Sequence, residues 1–519
     1  VLCTDIFDEF MKKNNLYEIG LSDLSDEEIL KYFVKAKLPD RIYKDLFAIL
    51  SVFKRPIAVR SSSLLEDSQY QPFAGIYSTY MIPKIETNKK LMIKLLTNAI
   101  KSVYASVFYK SSKSYMLATS NVIDHEKMGI IIQEVCGKRY NNKFYPTISG
   151  VARSINFYPI YPEKHEDGIA NIAFGLGKYV VDGGKTLRFS PKYPKKILQL
   201  SSTEMAIKDT QKIFYALDLF ADSCIPSTND DVNILKLKIK ETEKDDSIKY
   251  VSSTYDFQNN VIRDGTNYQG KKIITFSNIL NYNTFPLSDI LQTLLKVGQK
   301  EMNTPVEIEF AVNLDTEKNK PKIFNFLQIR PIVFNNEKTN FDIEKISLKK
   351  TIIYSNLALG NGIIDDTYDF IYIKPETFKA SNNNALTLEI EKINEKFIND
   401  KKNYILVGPG RWGSEDPFLG IPVKWYQISE ARAIVEAGLE NYRIEPSQGT
   451  HFFQNLTSFK VGYFTINPFI NDGYYDLEYL SKRKAFYESE FIKHIRFNTP
   501  LKVMIDGRKN KGVILKPKK

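Results

Sequence analysis

The stretch from Pro56 to Thr79, PIAVRSSSLLEDSQYQPFAGIYST, constrains this 519-residue chain more than any other. Apolar Pro56 to Val59 reads as a strand that delivers Arg60, Ser61, Ser62 and Ser63 into a loop holding Glu66, Asp67, Phe73 and Gly75, before aromatic strand residues resume. Such a loop can grip an anion. Arginine offers a planar fork of donors suited to phosphate oxygens, serine hydroxyls and backbone N–H groups add weaker donors, and glycine lets the backbone approach closely. The same residues also fit a solvated hairpin with an Arg–Glu surface pair.

A second segment, far along the chain, carries complementary chemistry. Pro305 to Ile332, PVEIEFAVNLDTEKNKPKIFNFLQIRPI, alternates as two strands joined by the polar turn Asp315 to Pro321. Glu307 and Glu309 then face one way, as do Gln328 and Arg330 on the partner strand. A carboxylate and an amide oxygen on paired strands are hard ligands suited to Mg²⁺, which takes one or two protein oxygens plus nucleotide phosphates. A surface hairpin with a charged face is the competing reading.

Between these segments, Met128 to Val135, MGIIIQEV, reads as a buried central strand ending near Gln133. Gly175 to Phe189, GLGKYVVDGGKTLRF, reads as turns between strands, and neither GLGK nor DGGK has the P-loop spacing. Ser25, followed three residues on by Glu28, predicts a capping box opening a helix; a second helix is expected over Ile42 to Phe53 and a third over Leu91 to Tyr109. Helical patterns around Met205 to Leu219 and from a capping Ser288 to Met302 bracket a strand-rich section containing YVSSTYDF.

VRSSSLLEDSQYQPFAG resembles the signature loop of the ATP-grasp domain in phosphoenolpyruvate synthase, pyruvate phosphate dikinase and rifampicin phosphotransferase. The family pattern is close to VRSSATAEDxxxxSFAGQxxT, with Arg60, Ser61, Ser62, Glu66, Asp67, Phe73, Ala74, Gly75 and Thr79 in register. Ser149 to Ala152 and GLGKYVV are similar to the family's SGVMFT and GLGExVVxG segments, and the Glu309 to Pro331 hairpin to its IEW-A and LQxRP motifs. The resemblance implies a MgATP-binding phosphotransferase. Arg60, Ser61, Gly75, Thr79, Gln133, Lys178 and Arg330 become ATP-binding residues, with Gln133 at the adenine edge, and Arg60 and Arg330 the catalytic pair. Glu309 and Gln328 become the metal ligands. Lys178 departs from the pattern, which has glutamate there; it either supplies phosphate charge or marks a chain that has lost the usual reaction. The chain opens at VLCTDIFDEFM, after the point where the family has a lysine-containing GGKxxGL, so it is expected to be N-terminally incomplete.

Composition sets wider limits. With 43% hydrophobic and 26% charged residues the chain is expected to fold as two or three domains. The resemblance implies an α/β (α+β) fold: an ATP-grasp domain over 1–335, then a linker over 336–350 and a C-terminal α/β domain over 351–519. No apolar run long enough to cross a bilayer and no signal segment is read, so a cytoplasmic protein without membrane contact is expected. The formal charge of +11 is spread among alternating lysines and acids, which argues against nucleic acid as a partner. Three widely spaced cysteines support neither a disulfide framework nor a cysteine zinc site.

The final region contains YILVGPGRWGSEDPFLGIPVKW, a strand from Tyr404 running into a glycine-rich turn, and a helix is expected over Ile428 to Asn441. Arg411, Trp412 and Gly449 to His451 are either part of a second ligand surface or turn chemistry with aromatic packing. His451 is the one histidine beside a Ser/Gly/Thr cluster and the sole phosphoacceptor candidate. The residues beyond Pro331 are fewer than the roughly 250 of a TIM barrel. The resemblance implies that family enzymes making phosphoenolpyruvate also carry a phosphohistidine domain and a TIM barrel for the keto acid; with neither read here, the chain is expected not to make phosphoenolpyruvate unaided, the phosphoryl group passing to water, a separate protein or a small-molecule acceptor. A non-catalytic ATP sensor and an assembly scaffold are the alternatives.

Overall fold

A computed structural model describes residues 1–63, 65–66, 75–118, 126–220, 225–242, 246–317, 319–332, 341–414, 416, 418–440, 443–446, 450–459 and 461–517. Asp67, Phe73, Ala74, His125, Gly449 and positions 336–340 of the expected linker lie outside them. The chain divides into two compact units. One holds Val1–Ser154, Gly168–Val180 and Lys185–Pro331; the other holds Ile155–Asp167, Val181–Gly184 and Ile332–Lys519.

In the first unit, helix α1 (Asp26–Lys35) begins with the expected capping box: the Ser25 hydroxyl accepts from the Glu28 amide while the Glu28 carboxylate accepts from Ser25 N–H. Helix α2 (Tyr43–Val52) leads into strand β1 (Ile57–Ser62), which lies between β2 (Thr79–Ile82) and β3 (Gly129–Glu134), both antiparallel to it. Strand β3 is thus at the sheet edge, where a central strand was expected; the chain's start, through Leu2, bridges its outer side at Ile130. Helix α3 (Lys89–Ser106) lies between β2 and β3 in sequence. By length and composition Lys89–Met116 passes as a membrane-crossing stretch, against the expectation that none would, but 78% of its apolar window is buried inside the protein. That is how a core helix looks.

A second, five-stranded sheet of the same unit has β4 (Ile148–Arg153), β5 (Ile169–Ala173) and β6 (Leu187–Phe189), and is completed by β7 (Val306–Asn313) and the edge strand β8 (Ile323–Pro331) in the order β8-β7-β4-β5-β6. Gly150 lies opposite Phe310, and a Cβ there would stand 2.4 Å from the Phe310 ring, so this strand position admits only glycine. The buried pair Arg153–Glu307 ties β4 to β7.

Two further expectations fail in this unit. The helix expected over Met205 to Leu219 is a short helix, Thr203–Asp209, followed by the strand Ile213–Asp218, whose Phe214, Ala216 and Leu217 are buried. The helix Leu287–Met302 starts at Pro286 with no side-chain cap, and Ser288 lies inside its first turn. Proline supplies the fixed φ of a helix start without needing the serine.

The second unit is built on a ten-stranded sheet. Its strands β9 (Asn361–Ile373), β10 (Tyr404–Pro409), β11 (Ala431–Ala437) and β12 (Gly462–Ile466) run parallel as neighbours. Strand β11 replaces the helix expected over Ile428 to Asn441. ARAIVEA is buried between two strands, and a short apolar run covered on both faces carries no alternation to separate it from helix. Ile405, Val407, Ala433, Val435, Phe464 and Ile466 form one face of that core.

Candidate functional site

Alternation along β1 decides which side chains can meet a ligand together. Arg60 is half-buried and shares its face with Ala58, while Ser61 points to the face of Ile57 and Val59. Ser61 is 4% exposed and its hydroxyl has no hydrogen-bond partner among the described residues. Sequence reasoning grouped Arg60 and Ser61; the pleat separates them. Thr79 lies directly across from Arg60 on β2, and Gln133 lies across from Ala58 on β3, so Thr79, Arg60 and Gln133 share one face. Gln133 sits one step, about 7 Å, along the sheet from Arg60. Gly75, at the end of the loop, has φ +66°, a conformation that glycine takes without strain. At the loop's beginning the Glu66 amide donates to the Ser63 hydroxyl, and Glu66 is buried.

The hairpin β7–β8 brings a second set to Arg60. Glu309 lies directly opposite Gln328, and Glu307 opposite Arg330, with a register shift just after Glu309. Arg60 Nη2 donates to Gln328 Oε1 at 2.6 Å and Arg330 Nη2 donates to the same oxygen at 2.9 Å. Two guanidinium groups therefore converge on one neutral amide oxygen. Arg330, 3% exposed, also has Glu309 at 3.7 Å and Glu66 at 4.0 Å. Arg60 has no carboxylate in ion-pair range among the described residues; its partner is the amide. This uneven arrangement, one arginine compensated and one held by a neutral group, favours an incoming anion.

Lys178 begins a single helical turn, Lys178–Val181, and its Nζ is 3.2 Å from Asp231 Oδ1. The neighbouring Asp230 accepts from the Thr79 amide at 2.9 Å. Neither aspartate carried a sequence signal, because each acts across about 50 to 150 residues of chain and NDD reads as an ordinary turn.

The chemistry of this donor set fits a nucleotide with its divalent cation. The arginines match phosphate oxygens, and the Glu309 carboxylate is a hard oxygen ligand on the strand facing them. The Gln328 oxygen already takes two guanidinium donors, so it serves a cation only as those donors turn to phosphate.

Residues 1–350 match the family model described as pyruvate phosphate dikinase, AMP/ATP-binding domain. The chain belongs to this family. Two curated relatives agree. An uncharacterised phosphotransferase of Bacillus subtilis, YvkC, is 29% identical over 188 residues, covering 36% of this chain and 20% of its own length. The phosphoenolpyruvate synthase of Aeropyrum pernix is 25% identical over 318 residues, covering 59% of this chain and 33% of its own. The matches thus span a fifth to a third of the relatives' lengths.

The pyruvate phosphate dikinase AMP/ATP-binding match contains Arg60, Ser61, Gly75, Thr79, Gln133, Lys178, Glu309, Gln328 and Arg330, whereas His451 lies beyond it. His451 is the half-buried first residue of the helix His451–Ser458 in the second unit. The glycine-rich turn after β10 spends its amides internally: Gly410 N–H donates to Ala437 O, Arg411 N–H to Leu419 O, Trp412 N–H to Glu436 Oε1 and Gly413 N–H to Ile421 O. The buried Trp412 donates its indole N–H to Val435 O, and Arg411 Nε donates to Glu445 O. For residues 410–413 these contacts are turn chemistry and packing.

Proposed function

We propose that the chain is a MgATP-binding, kinase-type phosphotransferase module, with an ATP-grasp domain over 1–335, a linker over 336–350 and an appended α/β domain over 351–519. The observation that carries this reading is the meeting of Arg60 and Arg330 on the single oxygen of Gln328, with Glu309 facing them. In the proposed site Arg60 and Arg330 turn their forks to phosphate oxygens, Thr79 and Lys178 flank the phosphates, Gly75 lets the loop backbone come close, and Gln133 faces the adenine edge. Glu309 and Gln328 would hold Mg²⁺, which when bound bridges phosphate oxygens and neutralises their charge. The protein's own contribution is positioning and fixed charge. The Ser61 hydroxyl is left out of the set because it lies on the face opposite Arg60. His451 is kept only as the candidate to test for phosphoacceptance, and a cytoplasmic location goes with the reading.

A second reading, a regulatory module that binds ATP without turnover, is favoured by the Lys178–Asp231 pair, which engages the lysine that stands where the resembling pattern has glutamate. Incubation with β- and γ-labelled ATP separates the two. Release or transfer of label, abolished in Arg330→Met, supports the phosphotransferase. Binding without release supports the sensor, and label held by the protein but lost in His451→Ala assigns that histidine as carrier.

A further inference from the structure

Residues 227–233 form a strap along the outer edge of β2. An edge strand presents unpaired N–H and C=O groups; side chains of the strap meet two of them, and the strap's backbone holds a β2 side chain. Asp230 Oδ2 accepts from Thr79 N–H at 2.9 Å, Asn233 Nδ2 donates to Met81 O, and Ser227 O accepts from the Tyr80 hydroxyl at 2.6 Å. The strap is braced internally: the Asn229 amide donates to Ser227 Oγ at 3.1 Å and the Asp231 amide to Asn229 Oδ1 at 3.0 Å. From this braced backbone Asp231 reaches Lys178 at 3.2 Å, with the two side chains 23% (Lys178) and 30% (Asp231) exposed.

The geometry points to Asp231 as a positioning residue for Lys178. It aims the ammonium while its neighbour Asp230 fixes the Thr79 amide, so that adjacent aspartates hold two phosphate-facing motifs in register. This deepens the proposed function and rests on it. Consecutive carboxylates repel, and here each is met by a partner, a backbone amide hydrogen bond for Asp230 and an ion pair with the Lys178 ammonium for Asp231. A glutamate at 178 would meet Asp231 as a like charge, so the lysine and this aspartate are a matched pair.

Positioning and plain electrostatics predict opposite signs. Removing a negative charge near a polyanion tightens binding; releasing a lysine from its aim weakens it. Titration of the full chain with Mg²⁺ and a non-hydrolysable ATP analogue, at one low ionic strength, reads the difference. Asp231→Asn is expected to weaken binding about three- to tenfold, Asp231→Glu to restore most of it, and Asp231→Asn to add nothing in a Lys178→Met background. Tighter or unchanged binding in Asp231→Asn, or an equal loss without Lys178, overturns the inference. Should Asp231→Asn not fold, the exchanged pair Lys178→Asp with Asp231→Lys keeps the attraction; it is expected to fold and to bind about tenfold or more weakly, and wild-type affinity there overturns the inference. A wild-type chain that binds no nucleotide removes the proposed function itself, and this inference with it.

Discussion

Replacing Arg60 by lysine separates a phosphate-binding role from a structural one. The Nη2 atoms of Arg60 and Arg330 share one acceptor at 2.6 and 2.9 Å, so they stand no more than about 5.5 Å apart. At an effective dielectric of ~20 that proximity costs at least roughly 3 kcal/mol, and Glu309 and Glu66 each return roughly 4 kcal/mol to Arg330 alone. Arg60 gets no such return and is held by the amide, a bond worth about 1 kcal/mol net. Lysine at 60 should therefore cost little stability, since the Gln328 oxygen keeps its bond from Arg330. On a phosphate, however, a point charge loses one charge-assisted hydrogen bond of the fork, worth about 1.5–3 kcal/mol, which is roughly ten- to a hundredfold in affinity. Calorimetric titration of MgATP into Arg60→Lys, beside a denaturation curve of the same variant, measures both. Unchanged affinity with an intact fold would refute the reasoning and return Arg60 to a surface role.

Other outcomes follow from single contacts. Glu307→Gln takes one carboxylate from the buried Arg153, both side chains being about 5% exposed or less, and should lower unfolding free energy in urea by about 1.5–3 kcal/mol, the worth of a charged hydrogen bond; no measurable loss contradicts the pair's importance. Burial raises the Glu126 carboxyl above its ordinary range against the lowering effect of hydrogen bonds from Ser63 and Tyr77. Its ionised form therefore costs stability above the folded-state pKa, and the penalty fades as pH falls through it. Glu126→Gln should raise the unfolding midpoint near neutral pH and lose that advantage in acid, whereas a lower midpoint at neutral pH contradicts the sign. Ser61→Ala removes a buried hydroxyl without a partner among the described residues and should leave MgATP affinity unchanged with equal or greater stability; a tenfold loss of affinity would restore Ser61 to the site.

What was legible in the sequence had a local cause. The capping box at Ser25, the alternation of the Glu309 and Gln328 strands and the run from Tyr404 depend on neighbours a few residues away, and each forms as expected. What failed depended on cover from distant chain. Strand β11 reads as helix until its flanking parallel strands are known, and β3 reads as central until the sheet order shows it at the edge. The convergence of Arg60 and Arg330 on Gln328 spans 268 residues and could be guessed only through resemblance. Asp230 and Asp231 had no motif to announce them, because a loop acid acquires its role only when the fold brings β2 and Lys178 beside it.

The most direct test of the central claim is the affinity of the chain for ATP measured by calorimetry with Mg²⁺ and again with chelator. The proposed site predicts binding that depends on the metal, because Glu309 would otherwise face phosphate oxygens uncompensated while Gln328 stays engaged with the two arginines. Equal affinity in both conditions would contradict the metal assignment, and no binding in either would contradict the nucleotide site itself.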